Sequence, residues 1–122
     1  MRFEIRLGNE IVGFSELEAG DAPMGVAEGR FLPTPAYSSI QRQCVEHRDY
    51  WVSIPGLIVS MPGGEPIEFQ GGVVIIDYSA ELGETGIQVQ INGIPYPLYG
   101  ELFPQHVQAY EDQFKKKTPP DS

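Results

Sequence analysis

The sequence predicts an α+β fold: a single domain with a mainly antiparallel sheet of six to eight strands and two helices packed against it. Three observations carry this. Short segments of alternating apolar and polar residues are spaced by Gly, Pro, Asn and Asp, only two stretches place apolar side chains at helical spacing, and β-branched residues gather in the run Val73-Val74-Ile75-Ile76. With 122 residues and 41% hydrophobic content, one core is expected over residues 1–117, followed by a loose tail at 118–122.

Phe3, Ile5 and Leu7 alternate with Arg2, Glu4 and Arg6, the period of a half-buried strand, and Glu10 to Phe14 resumes it after Gly8-Asn9. Gly and Asn accept the backbone of a tight turn, so these two strands form a hairpin. Ser15 to Gly20 is acidic and aperiodic, and Asp21-Ala22-Pro23 reads as a turn. Met24 to Leu32 reads as one bent strand at the rim of the sheet, its glycines 25 and 29 marking a bulge or a close backbone approach. Thr34 is placed to cap a helix that Pro35 opens, with Tyr37, Ile40 and Cys44 on its buried stripe and an end near His47 to Asp49.

Tyr50 to Ile54 is a short strand or an extended cover, cut off by Pro55-Gly56. Leu57 to Met61 and Pro66 to Gln70 flank Pro62-Gly63-Gly64 as a second hairpin. The continuous apolar run Val73 to Tyr78 suits the centre of the sheet, where both faces are covered. Glu81 to Gly86 is a polar connection, and Ile87, Val89 and Ile91 alternate with Gln88, Gln90 and Asn92 in a strand with one wet face. Asn92-Gly93 marks a tight turn into Ile94 to Tyr99, an edge strand at best because of Pro95 and Pro97. Phe103, Val107, Tyr110 and Phe114 recur at helical spacing behind Pro104, and Lys115 to Lys117 suit the carboxyl end of that helix.

Charge is the strongest compositional signal. The chain carries 17 acids against 8 bases, a formal net charge of -9, and the first 114 residues hold sixteen acids, five arginines and no lysine. Such a surface repels phosphate backbones and anionic membranes, and it draws in a basic protein partner. No apolar run approaches the ~20 residues that a membrane span needs, and the first residues alternate like a strand instead of forming a leader. Cys44 is the single cysteine, so no intramolecular disulfide forms; a cytoplasmic location is expected.

Residues able to do chemistry are sparse. Cys44 and His47 lie one helical turn apart, the spacing of a nucleophile and its base, yet Cys44 falls on the buried stripe. One cysteine and two separated histidines supply no zinc spacing, and no calcium loop or phosphate-cradling glycine motif stands in the sequence. The pairs Glu16/Glu18, Glu65/Glu68 and Asp77/Glu81 could meet in space for two-carboxylate hydrolysis, but a chain this acidic produces such pairs by composition. The expectation is a binding protein without a cofactor or metal, not an enzyme. Tyr50, Trp51, Tyr96, Tyr99 and Tyr110 exceed what a small core needs, and aromatics ringed by acids suit the capture of a basic protein.

The segment Gly13 to Tyr37, GFSELEAGDAPMGVAEGRFLPTPAY, resembles one in small bacterial proteins. The whole chain is similar in size, acidity and cysteine poverty to immunity proteins encoded beside polymorphic or contact-dependent toxins. The resemblance implies a protein that binds a basic toxin domain and occludes it, and it carries no assigned residue across. The residues expected to meet such a partner are Glu16, Glu18, Asp21, Glu28, Asp49, Trp51, Glu81 and Glu84. A small ligand-binding or adaptor domain is the alternative, and a hydrolase the third reading.

Overall fold

The computed structural model describes residues 1–117, and the predicted tail at 118–122 lies outside them. The described residues form an α+β fold with eight strands, β1 (Phe3–Leu7), β2 (Glu10–Ser15), β3 (Ala19–Asp21), β4 (Val26–Arg30), β5 (Leu32–Pro33), β6 (Leu57–Ser60), β7 (Gly72–Asp77) and β8 (Ile87–Asn92). Four helices accompany them: α1 (Ser38–Glu46), α2 (Ser79–Leu82), α3 (Leu98–Leu102) and α4 (Pro104–Lys117). Single 3₁₀ turns span Ala22–Met24, Pro35–Tyr37 and Gly83–Gly86.

The strands divide between two antiparallel sheets, ordered β5-β2-β1-β6 and β3-β4-β8-β7, where one sheet was expected. Phe31 is the reason. Its fully buried side chain breaks the expected strand from Met24 to Leu32 into β4, which pairs with β8, and β5, which pairs with β2. The Phe31 ring lies on the backbone of β2 at Gly13, where an added Cβ would come within 2.2 Å of it. Gly13 is thus a contact surface for an aromatic ring, which explains a glycine inside an otherwise apolar strand. Gly29 has a related role: a Cβ there would meet the Glu18 carboxylate and, at 3.0 Å, the Glu18 backbone nitrogen. β4 is an inner strand, so a close approach, not a bend at the rim, accounts for that glycine.

Inward-facing residues of both sheets share one core: Phe3, Ile5, Val12 and Val59 from the first sheet meet Ala27, Val73, Ile75, Val89 and Ile91 from the second. The stripe Tyr37, Ile40 and Cys44 of the first helical segment closes one side of it, as its spacing required. Tyr99 and Phe103 close another, so Tyr99 is a core residue, not the exposed aromatic it was expected to be.

Other expectations are corrected. The run Val73 to Asp77 forms an edge strand, not the sheet centre. It is apolar on both faces because Val73 and Ile75 enter the core while Val74 and Ile76 are buried on the opposite side; its outer edge is met by the Ile54 amide, which donates to the Val73 carbonyl at 2.9 Å. Pro66 to Gln70 forms no strand: β6 pairs with β1, and only the bridge Ser60↔Pro66 and the bond from the Ile67 amide to the Val59 carbonyl join that segment to β6. Ile94 to Tyr99 is not an edge strand either. The prolines remove alternate donors, and the Tyr99 amide turns back to the Pro95 carbonyl as α3 begins. The connection Glu81 to Gly86 coils into α2 and a 3₁₀ turn. Thr34 does not cap α1; its hydroxyl crosses to the Ile11 carbonyl and ties the helix entrance to β2.

Candidate functional site

The buried polar groups define what is structural. Asp77 is fully enclosed at the end of β7, where its Oδ2 accepts from the Tyr37 hydroxyl at 2.6 Å and the Gln41 amide at 3.4 Å, and its Oδ1 accepts the Ser79 backbone amide at 2.8 Å. Burial pushes this carboxyl up, but the hydrogen bonds from Ser79, Tyr37 and Gln41 together outweigh it and hold the acid below its ordinary value. Burial, followed by the bond to Asp77, pushes the Tyr37 hydroxyl far above its usual range. A charged, saturated and solvent-free carboxylate has no room for substrate, so this network fastens α1 to the sheet.

Cys44 belongs to the same enclosed region. Burial pushes its thiol up to about 11, with Asp77 adding to the effect and a hydrogen bond with Tyr37 opposing it. A thiol that remains protonated at neutral pH is neither a nucleophile nor a ready metal ligand. We expect Cys44 in the folded protein to remain unlabelled by an aromatic disulfide reagent at pH 8 and to react stoichiometrically in guanidinium chloride. Full labelling of the native protein within minutes would contradict the burial. His47 ends α1, where its backbone amide caps the Gln43 carbonyl. Asp77 and Glu81 do not work as a pair, since Asp77 is enclosed while Glu81 turns outward to Arg48 at 3.0 Å. Among the described residues no group of His, Cys, Asp and Glu could hold a metal ion.

Seven of the eight residues expected to meet a partner fall into two groups, and Glu16 stands outside both. The first surrounds Trp51. The loop from His47 to Ile54 holds Trp51 at φ 54°, a backbone conformation that a bulky residue rarely adopts, and leaves the residue 54% exposed. Trp51 lines a hollow of about 200 Å³ with Ile76, Tyr78, Leu82, Thr85, Gly86 and Gln88. Its neighbours Tyr50 and Val52, and Leu82 across the hollow, are exposed as well. Asp49 accepts the Tyr78 hydroxyl, and Arg48 stacks 4.8 Å over the Tyr78 ring while bonding Glu81. Glu84 precedes Thr85 of the hollow and lines another depression with Arg30, Leu32 and Pro33. Asp49 and Glu81 are therefore tied to the hollow through Tyr78 and Arg48, whereas Glu84 belongs to the depression at Arg30.

The second group lies beside β3. Glu18 and Asp21 line a cleft of about 550 Å³ between the chain at residues 18–22 and the face of α4 that carries His106, Ala109, Tyr110 and Gln113. Glu28 stands opposite Ala19 in the β3–β4 ladder. Glu18 is partly engaged, its Oε1 accepting the Arg30 amide at 2.8 Å. Glu16 is exposed and lines neither depression.

Residues missed in the sequence include Arg48, Tyr78 and Leu82 around Trp51, and His106, Ala109 and Gln113 on α4. The α4 set was detectable, since 106, 109, 110 and 113 follow the i, i+3, i+4, i+7 rule of one helix face. The Trp51 set was not, because residues from 48 to 88 converge there only through the fold. No helix among the described residues is long and apolar enough to cross a membrane. No family model matches the chain, and neither does any curated protein or solved structure.

Proposed function

We propose that the protein is an acidic binding module that captures a basic protein partner on the surface around Trp51. The exposed Trp51, held in a strained backbone conformation beside a hollow whose Tyr78 is bound by Asp49 and by the Arg48–Glu81 pair, is the observation that carries this reading. Backbone in that region costs on the order of 1–3 kcal/mol and persists where the surroundings impose it, commonly at binding sites. Tryptophan is also the side chain most enriched among residues that dominate binding energy, and flanking acids speed encounter with a basic surface. Neutralisation of a toxin domain is one form this activity would take, with the module blocking the toxin by covering its cationic surface. A small-ligand adaptor role at this surface has less support, because the hollow beside Trp51, at about 200 Å³, is smaller than ligand sites usually are.

Affinity capture from the source cell, with the wild-type chain and Trp51→Ala as paired baits, tests the reading. Recovery of a basic protein by the wild type is expected, with affinity about 30-fold weaker for Trp51→Ala, a loss of about 2 kcal/mol. Glu81→Lys should slow association most at low salt. Equal capture of the partner by the wild type and Trp51→Ala would refute the assignment of this surface. If the partner is a toxin, co-expression with the wild type restores growth and co-expression with the alanine variant does so poorly.

A further inference from the structure

We infer that the cleft between β3 and α4 binds an extended, lysine- or arginine-bearing peptide segment, which adds to the sheet as a strand along the free edge of β3. β3 ends its sheet, paired with β4 on one side only, and all three of its residues are exposed. Beyond the ladder to β4, the backbone groups of Ala19, Gly20 and Asp21 make no other hydrogen bond among the described residues. An unpaired strand edge is a template for a further strand, and here α4 supplies the opposite wall of a groove.

The dimensions agree. His106 to Gln113 spans about 10 Å along α4 at ~1.5 Å per residue, and three to four extended residues span about 10–13 Å. The cleft of about 550 Å³ falls within the usual range for ligand sites. Both walls are fixed in place. On the strand side, Leu17 is buried at φ 47°, its amide donating to the Ser15 hydroxyl. On the helix side, His106 is only 6% exposed, and its Nε2 donates to the Leu17 carbonyl at 2.8 Å, which joins α4 to the chain just before β3.

Charge selects the occupant. Asp21 and Glu18 line the groove, Glu18 with one oxygen taken by the Arg30 amide, so a second copy of this chain pairing through the same edge would set like charges against one another. An extended segment with Lys or Arg at alternate positions instead meets carboxylates with its side chains and the β3 backbone with its own. This surface shares no residue with the one around Trp51, and the inference stands whether or not that surface binds.

The probe is an eight-residue peptide alternating lysine and valine, titrated into the full chain and followed by amide chemical shifts and fluorescence anisotropy. Saturable shifts at Ala19, Gly20 and Asp21 and along the 106–113 face of α4 are expected, with affinity lowered about tenfold by Asp21→Lys and by Ala109→Trp, which fills the groove. N-methylation of alternate peptide amides should abolish binding while leaving the charge intact. Equal binding of the methylated peptide would reduce the effect to charge attraction and overturn strand addition. Shifts confined to the Trp51 surface, or dimerisation through β3 without peptide, would likewise overturn the assignment. Trp51→Ala, expected to leave this titration unchanged, separates the two surfaces.

Discussion

Asp77→Ala is expected to destabilise the protein by about 3–5 kcal/mol, because it strands several partners inside the fold at once. The Tyr37 hydroxyl, the Gln41 amide and the Ser79 backbone amide all donate to this one enclosed carboxylate. A chain of this size loses roughly 3–6 °C of melting temperature per kcal/mol, so a fall on the order of 10–25 °C should appear in a thermal melt. Tyr37→Phe removes a single donor and should cost less, about 1.5–3 kcal/mol. The double variant should lose less than the sum of the two, which is the signature of a shared interaction. The pH dependence has a definite sign. Asp77 is held below its ordinary value of 3.8, so its contribution is complete above that pH and disappears as pH falls through the lower, folded value. Stability of the wild type should therefore fall on acidification below about pH 4, and Asp77→Asn should flatten that part of the profile. A melting temperature for Asp77→Ala within a few degrees of wild type would show that α1 is held by apolar packing alone.

Phe103→Ala should cost a similar amount, about 3–5 kcal/mol, through a different mechanism: it opens a cavity at the joint between α3 and α4. Phe103 is fully buried, with its ring 5.4 Å from Phe3, 5.2 Å from Tyr99 and 5.0 Å from His106, the last nearly parallel at 9°. Its backbone serves both helices, since its amide bonds the Tyr99 carbonyl at 2.8 Å and its carbonyl accepts the His106 amide at 3.0 Å. Denaturant unfolding should show a lower midpoint with an unchanged slope, and the amides of α4 should lose exchange protection before those of β8. Phe103→Leu retains most of the volume and should cost under about 1.5 kcal/mol. Phe114→Ala, on the exposed part of α4, should cost no more than about 1 kcal/mol despite its edge-on contact with Tyr110. If Phe103→Ala unfolds at the wild-type denaturant concentration, α4 is not anchored through this ring. Because α4 forms one wall of the cleft at β3, the same variant should also weaken peptide capture there.

Much of the local architecture was legible because it depends on near neighbours in sequence. Phe3, Ile5 and Leu7 against Arg2, Glu4 and Arg6 placed β1; Ile87, Val89 and Ile91 placed β8; Tyr37, Ile40 and Cys44 placed the buried stripe entering α1. Ladder partners were less legible. The Val73 to Asp77 run looks central from its apolar content, yet an edge strand reads the same way once Val74 and Ile76 on its second face are buried too. The segments at Pro66 and Pro95 alternate like strands, but alternation reports which side chains are buried and does not establish whether backbone ladders form.

The candidate surfaces divide along the same line. Amino-acid order alone established the acidity, the absence of a catalytic motif, the burial of Cys44 and the identity of the acids available to a partner, since these follow from composition and short spacing. Only the tertiary structure decided that those acids are spread over separate surfaces, that Tyr99 is buried while Tyr50, Trp51 and Tyr96 stay exposed, and that β3 is left with an open edge facing α4. The physical reason is that strand partners are set by long-range packing: at the buried Phe31 the chain passes from a ladder with β8 to one with β2. Such pairings leave the edge of β3 open and bring distant residues together around Trp51, and no local periodicity records them.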